Sequence, residues 1–170
     1  MVAARKAWAT TSVARSHGWA PRGKRFLCAV PHGHWHATFL CGLRAGGLVA
    51  PLALDGAVNG AAFLAYVERF LAPTLTPGGV VILDNLSSHK VAGVQAATAA
   101  CGARLLHLPP CSPDLNPIEL AFSKLKRLLR DAGERTRNAL WATIGSLLKQ
   151  FSPTECASCI RHCGFAQSGQ

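Results

Sequence analysis

The sequence has 170 residues, of which 49% are apolar, so it can form a hydrophobic core and is not a disordered chain. This length is typical of one domain. Only 15% of the residues are charged, and 18 Lys and Arg against 8 Asp and Glu give a net charge of +10. This balance favours a polyanionic partner, first of all nucleic acid, although a ribosomal-type or membrane-surface protein would carry the same charge.

No segment is typical of a membrane span or a secretory signal. The longest stretch without charge lies between Arg25 and Arg44, and it contains Pro31 and Gly33, which do not fit a membrane helix. Seven cysteines, an odd number, in a chain that can form a core favour free thiols in a reducing compartment. We therefore expect a cytoplasmic protein with no membrane partner.

Five short apolar runs predict β-strands. The first two flank a His- and Gly-containing turn at 31–34 and are typical of a hairpin, whereas Pro51 places the third run at a sheet edge. The fourth is typical of a buried strand, and the fifth ends at two prolines. The runs are 24–30, 35–43, 48–54, 79–83 and 103–108.

Helical patterns alternate with the later strands. The best marked covers 117–130, with Asn116 as N-cap and Pro117 at the first helical position. Its buried stripe is predicted to be Ile118, Phe122, Leu125 and Leu129. Other helices are predicted over 63–71, with Phe70 on the apolar face, over 91–100 and 138–151, and over 152–164, which begins with a capping box of Ser152 and Glu155. Together these elements predict one α/β domain with a mixed sheet, antiparallel at the start, parallel later and covered by helices.

Two of the eight acids lie where a site can form. Asp84 directly follows a buried strand, and Glu119 lies in the first turn of the helix after the next strand. Ligands of α/β sheets gather beyond the carboxyl ends of strands, and a helix N-terminus stabilises a carboxylate. Each residue alone is more typical of a turn or a cap. Two such carboxylates together favour a Mg²⁺ site, and with the net positive charge they favour phosphodiester chemistry.

Two motifs carry a family resemblance. Residues 83–90 (LDNLSSHK) and 108–119 (LPPCSPDLNPIE) closely resemble the motifs around the second Asp and the Glu of DDE transposases of the mariner superfamily, in its bacterial insertion-sequence branch. The 34 residues between Asp84 and Glu119 are the spacing typical of that superfamily. Residues 18–23, 31–35 and 124–126 match as well, so the resemblance spans nearly the whole chain.

The resemblance implies an RNase H-like fold and DNA cleavage and strand transfer that depend on Mg²⁺ or Mn²⁺. Asp84 and Glu119 would be catalytic metal ligands, and water and then a freed 3′-hydroxyl would attack the phosphodiester. The implied partners are transposon-end and target DNA and a second copy in a homodimer, near the bacterial nucleoid. The residues expected to contact DNA or shape the site are Asn85, His89, Lys90, Lys124, Lys126 and Arg127.

Two departures from the family pattern matter most for activity. The first catalytic Asp of the family precedes the position of Trp8, where this chain has Arg5, Lys6 and Ala7, and no acid occurs before Asp55. An arginine there would repel Mg²⁺. The family's N-terminal helix-turn-helix region also has no counterpart, so 1–170 is expected to be a single, N-terminally truncated catalytic domain. The prediction is an incomplete transposase catalytic domain, with a non-catalytic DNA-binding remnant as the alternative.

Two other clusters suggest metals less strongly. Cys156, Cys159, His162 and Cys163 could ligate zinc, but their spacing on one helix is that of an ordinary apolar face. His32, His34 and His36 alternate as on a strand, although their turn context favours loop and surface roles. We therefore expect core cysteines and no zinc module. Cys111, where the family usually has an aromatic residue, is expected to loosen the packing of the bend and to spare the ligands.

Overall fold

The structure is a computed structural model that describes residues 1–10, 20–24, 36–134 and 136–165. The strand predicted over 24–30, apart from Lys24, and the turn at 31–34 lie outside these residues. So do His32 and His34, and the side chain of His36 is not described. In the described part of the chain, no helix is both long enough and apolar enough to cross a bilayer.

A five-stranded mixed sheet forms the centre of the domain, in the order β3-β2-β1-β4-β5. β1 pairs with β2 antiparallel and with β4 parallel, β2 pairs with β3 antiparallel, and β4 pairs with β5 parallel. The predicted change from antiparallel to parallel pairing is confirmed, as is the edge position of the strand that contains Pro51. The strands are β1 (Val2–Thr10), β2 (His36–Arg44), β3 (Gly47–Asp55), β4 (Val80–Leu83) and β5 (Arg104–His107).

β1 is the strand that the apolar pattern did not predict. Its sequence, VAARKAWAT, is rich in alanine and carries Arg5 and Lys6 in its centre. Alanine and lysine are poor strand formers, and the segment has no regular alternation of large apolar residues. It is a strand because β2 and β4 pair with it on both sides, which is a tertiary effect.

Five helices cover the sheet among the described residues, and all five predicted helices are present. Val67–Leu71 continues α1 as a π-helical turn, which changes the helical phase. Phe70, expected on the buried face, is consequently 41% exposed. The helices are α1 (Gly60–Tyr66), α2 (Ala92–Ala100), α3 (Pro117–Ala132), α4 (Arg137–Leu148) and α5 (Pro153–His162).

The sheet separates two hydrophobic cores. Val2 and Ala4 of β1 belong to the core under α1 and α2, whereas Ala3 and Ala7 belong to the core under α3, α4 and α5. The predicted stripe of α3 is buried in the second core, as expected from its periodicity. Arg5 therefore follows Ala3 onto the α3 side of the sheet, and Lys6 follows Ala4 onto the α1 side.

The C-terminal cysteines are part of the second core. Ser152 caps α5 by accepting a hydrogen bond from the Glu155 amide (3.2 Å), as its sequence predicted. Cys156 is buried in the core, and Cys159 packs against it. Burial is the largest cause of the raised pKa of both thiols. No group of three or more His, Cys, Asp or Glu side chains able to hold a metal ion occurs among the described residues.

Candidate active site

The pairing of β1 with β4 places Arg5 beside Asp84. Ala4 is opposite Leu83 in the parallel register, so the next residues along each strand are Arg5 and Asp84. Both side chains lie on the α3 side, since they are two residues beyond Ala3 and Ile82, which are buried in that core. The carboxyl end of β4 therefore brings a cation and an acid together.

The N-terminus of α3 brings Glu119 to the same place. The helix begins where sequence signals predicted, with Asn116 at the N-cap and Pro117 next. The Glu119 amide donates a hydrogen bond to the Asn116 carbonyl (3.0 Å), which fixes Glu119 in the first turn. The helix dipole stabilises its carboxylate there. The predicted convergence of Asp84 and Glu119 on one face of the sheet is thus present in the structure.

Arg5 lies between the two carboxylates. Its Nε is 3.2 Å from Oδ2 of Asp84, an ion pair without the alignment of a hydrogen bond, and its Nη1 contacts Oε1 of Glu119. The Arg5, Asp84 and Glu119 side chains are 29%, 19% and 24% exposed. This Arg5–Asp84–Glu119 cluster joins β1, β4 and α3 in a setting partly withdrawn from water.

His89 holds the other side of Asp84. The imidazole is fully buried, stacks on the Phe63 ring with centroids 4.0 Å apart, and contacts Oδ1 of Asp84 through Nδ1. The Leu86 amide also donates to Oδ1 (3.4 Å). Burial by itself would raise the pKa of Asp84, but His89, Arg5 and the Leu86 amide together lower it below its usual value. Asp84 is therefore an ionised, oriented carboxylate.

The cluster opens into a cavity of about 310 Å³ beneath the proline-rich bend that precedes α3. A larger cavity, of about 550 Å³, lies near Val2, Arg44 and Val80, and no carboxylate lines it. The smaller cavity is therefore the candidate site, because it holds the acids. Its lining includes Arg5, Asp84, Asn85, Pro110, Asn116 and Glu119.

The residues present do not fit a divalent cation between Asp84 and Glu119. A guanidinium carries only N–H donors and has no lone pair to offer a metal. Arg5 already contacts both carboxylates, and its positive charge would repel a second cation in the same space. The implied Mg²⁺ or Mn²⁺ site is therefore closed by Arg5 in this arrangement.

The residues that follow Asp84 divide into buried and exposed. His89 is 0% exposed, and its contact with Asp84 fits one of its two predicted roles, that of shaping the site. Contact of His89 with DNA stays a prediction. Asn85 is half-buried and lines the cavity, while Lys90 is exposed just beyond it. DNA contact by Asn85 and Lys90 stays a prediction.

The cations of α3 also differ from one another. Lys124 donates to both oxygens of Glu155 (2.8 and 2.7 Å) and lies over the Phe151 ring, so its charge is already paired. Lys126 and Arg127 are exposed. Lys126 is nevertheless partly shielded from water by the protein, and this desolvation, followed by the charges of Arg5 and Arg130, lowers its pKa. Positive charge thus accumulates along α3 beside the site.

Sequence reasoning missed the ion pairs of Arg5 and the burial of Asn116. Arg5 was identified only as an unfavourable residue for a metal, and its contact with both acids depends on strand register. Asn116 is 1% exposed, and its side-chain Nδ2 and Oδ1 have no hydrogen-bond partner. Its predicted side-chain cap is absent. The signal for Arg5 was the missing acid of the family pattern before Trp8, and the signals for Asn116 were its N-cap position and its place in the motif at 108–119.

Comparisons with known proteins bear on the family and the fold of the chain. A family model described as DDE superfamily endonuclease matches residues 8–140. Solved structures with the same fold include the Mos1 transposase paired-end complex with left transposon end (14% identity, TM-score 0.76, covering 95% of this chain and 51% of that chain). The mariner Mos1 paired end complex with Mg is 15% identical, with a TM-score of 0.76, and the match covers 95% of this chain and 51% of that chain. The catalytic domain of Mos1 mariner transposase is 13% identical, with a TM-score of 0.67, and the match covers 95% of this chain and 76% of that chain.

At these identities the likeness concerns the fold, and the RNase H-like prediction is confirmed. This chain spans about half the length of the chains in the two complexes. No curated protein sequence matches it.

Proposed function

This chain belongs to the DDE superfamily of endonucleases, and we propose that it is a DNA-transposase catalytic domain that binds DNA but does not by itself cleave it. The observation that carries the proposal is the position of Arg5 between Asp84 and Glu119. The motifs at 83–90 and 108–119 support placement in the mariner superfamily and its bacterial insertion-sequence branch.

Binding to DNA is supported by the charge of the chain and its distribution. The net charge is +10, and exposed cations follow both acids along the chain, Lys90 after Asp84 and three more on α3 after Glu119. Desolvation is the largest cause of the lowered pKa of Lys126, and the charges of Arg5 and Arg130 add to it. Phosphates bound there would relieve the repulsion among these cations. Transposon ends are the proposed ligand class, since the similar Mos1 complex contains one. The proposed DNA surface comprises Lys90, Lys126, Arg127 and Arg130.

Loss of cleavage is supported by the chemistry of the cluster. Asp84 and Glu119 are the metal ligands that the family resemblance implies, and Arg5 takes the position where the resemblance expects a third acid. Arg5 contacts Oδ2 of Asp84 and Oε1 of Glu119, so a metal ion bridging the two acids would have to displace its guanidinium. Of the two predicted functions, the cluster therefore supports the non-catalytic DNA-binding remnant over the incomplete transposase catalytic domain.

Fluorescence anisotropy on duplex DNA at several salt concentrations tests DNA binding. Four phosphate contacts predict a slope of log K against log salt of about −3 to −4. Substituting the four cations of the DNA surface by alanine should flatten this slope, whereas Arg104→Ala, at an exposed position at the other end of the sheet, should not.

Light scattering of the complex tests a homodimer, which we propose because the similar Mos1 complex holds paired ends.

A nicking assay tests the absence of cleavage. The purified chain is incubated with DNA carrying inverted-repeat ends in Mg²⁺ or in Mn²⁺, and the expected result is intact DNA. Cleavage by the chain that disappears in Asp84→Ala would instead establish a working catalytic domain and overturn this part of the proposal.

A further inference from the structure

The position of Arg5 is set by the backbone and not by the flexibility of its side chain. β1 pairs with β2 over nearly its whole length and with β4 up to the Ala4–Leu83 pair. Position 5 is therefore held beside Asp84, which directly follows the end of the adjacent strand β4, and paired strands are about 4.8 Å apart. Any side chain at position 5 that points to the α3 side therefore leaves the backbone beside Asp84.

The contacts of Asp84 divide between its two oxygens. Oδ1 accepts from the Leu86 amide and contacts His89, whereas Oδ2 faces Arg5. Oδ2 is thus the oxygen that Arg5 occupies, and His89 and the Leu86 amide would keep the carboxylate oriented without Arg5. The backbone of Glu119 is held in the first turn of α3, and Oε1 of its carboxylate contacts Arg5.

We propose that Arg5 is a built-in counter-cation that excludes divalent metal ions from Asp84 and Glu119, and that a carboxylate at position 5 would open a divalent-cation site. The inference rests on the proposed function for its biological meaning, but its chemistry is independent of DNA. Arg5→Asp replaces a positive charge with a negative one and supplies a third hard oxygen ligand beside Asp84 Oδ2. Mg²⁺ and Mn²⁺ prefer such oxygen ligands.

Binding of Mn²⁺ to the purified full chain tests this proposal, with the free ion counted by electron paramagnetic resonance. The wild-type chain should leave Mn²⁺ free, and Arg5→Asp should bind it at least about tenfold more tightly. Arg104→Asp is the matched control, because it makes the same change of charge at an exposed position at the other end of the sheet. Adding Glu119→Gln to Arg5→Asp should remove the gain.

Three results would overturn the proposal. The first is Mn²⁺ binding by the wild-type chain that is lost in Glu119→Gln. The second is a folded Arg5→Asp, with a native circular dichroism spectrum, that binds Mn²⁺ no better than Arg104→Asp. Should Arg5→Asp fail to fold, Arg5→Gln removes the cation without adding a charge. It should bind Mn²⁺ more tightly than the wild type, and equal binding would also overturn the proposal.

The outcome is separable from that of the proposed function. DNA binding is measured without divalent ions, so its failure would refute DNA recognition and leave the Mn²⁺ result standing. Conversely, an absence of Mn²⁺ binding in a folded Arg5→Asp would refute the proposal that Arg5 excludes divalent metal ions, and would leave the DNA-binding result intact.

Discussion

Arg5 and Lys6 are neighbours in β1, but their side chains lie on opposite faces of the sheet and contact different groups. Arg5 lies between the carboxylates of Asp84 and Glu119. Lys6 donates instead to the Val58 carbonyl (3.2 Å) and the Ser88 hydroxyl (3.0 Å), which are uncharged. The two cations share a strand and a similar degree of burial.

The difference shows that the pleat of β1 decides the chemistry of each cation. A shift of one residue in the register would exchange the two faces, and would place Lys6 beside Asp84. Lys6 holds the β3–α1 connection and the segment after Asp84 through neutral oxygens, so it acts as a structural tie. Arg5 neutralises an acidic site, so its loss should have both electrostatic and structural consequences.

The largest expected effect is that of removing the charge of Arg5 while keeping most of its volume. Arg5→Met leaves two carboxylates close together without a counter-charge, and we expect it to lower the free energy of unfolding by about 2–3 kcal/mol. Urea denaturation at neutral pH measures this loss. Arg5→Lys, which keeps the charge, should lose less. An Arg5→Met chain as stable as the wild type would mean that the ion pairs contribute no net stability.

The same substitution on the other face should have a smaller effect. Lys6→Met removes two hydrogen bonds to neutral acceptors and should cost about 1 kcal/mol. Urea denaturation under identical conditions gives the comparison directly. If Lys6→Met were the more destabilised of the two, the contrast between an acidic and a neutral face would be wrong.

Helices and strands whose own residues carry capping signals or a regular apolar pattern were predicted from the sequence. The helix α3 was predicted from Asn116, Pro117 and its apolar stripe, and the structure begins it at Pro117. β1 was not predicted, because its strand conformation depends on two partner strands and not on its own residues. The exposure of Phe70 was missed for a related reason, since a π-helical turn changes the phase that a regular period assumes.

The two acids of the site could be predicted from the sequence, whereas the contact of Arg5 with them could not. Asp84 and Glu119 each follow an element boundary that the sequence marks, so their convergence could be expected from sheet topology. The contact with Arg5 requires the register between β1 and β4, two strands separated by about seventy residues of chain, and sequence spacing does not give it. The burial of His89 against Phe63 is likewise a product of tertiary packing.

The loss of stability at low pH should also differ between the Arg5 face and the Lys6 face of β1. The pKa of Asp84 is lower in the folded chain than its ordinary value of 3.8, so its ionised form stabilises the fold above that value. This contribution should be lost as the pH falls through the lowered pKa. Unfolding free energies from about pH 6 to about pH 2 measure it. Asp84→Asn should flatten this part of the profile and Lys6→Met should leave it unchanged, and identical profiles for all three chains would contradict the lowered pKa.

The smallest expected effect concerns α3, where an ion pair with an acid should decide which lysine binds DNA. Lys124 is paired with Glu155, whereas Lys126 is exposed beside the site and has no ion-pair partner among the described residues. If Lys126 contacts a DNA phosphate, Lys126→Ala should reduce the slope of log K against log salt by about 0.9. Lys124→Ala should leave that slope unchanged, because its ammonium already has a carboxylate partner. Equal reductions in the two variants would mean that DNA displaces Glu155, so that pairing in the free chain does not mark which cations bind DNA.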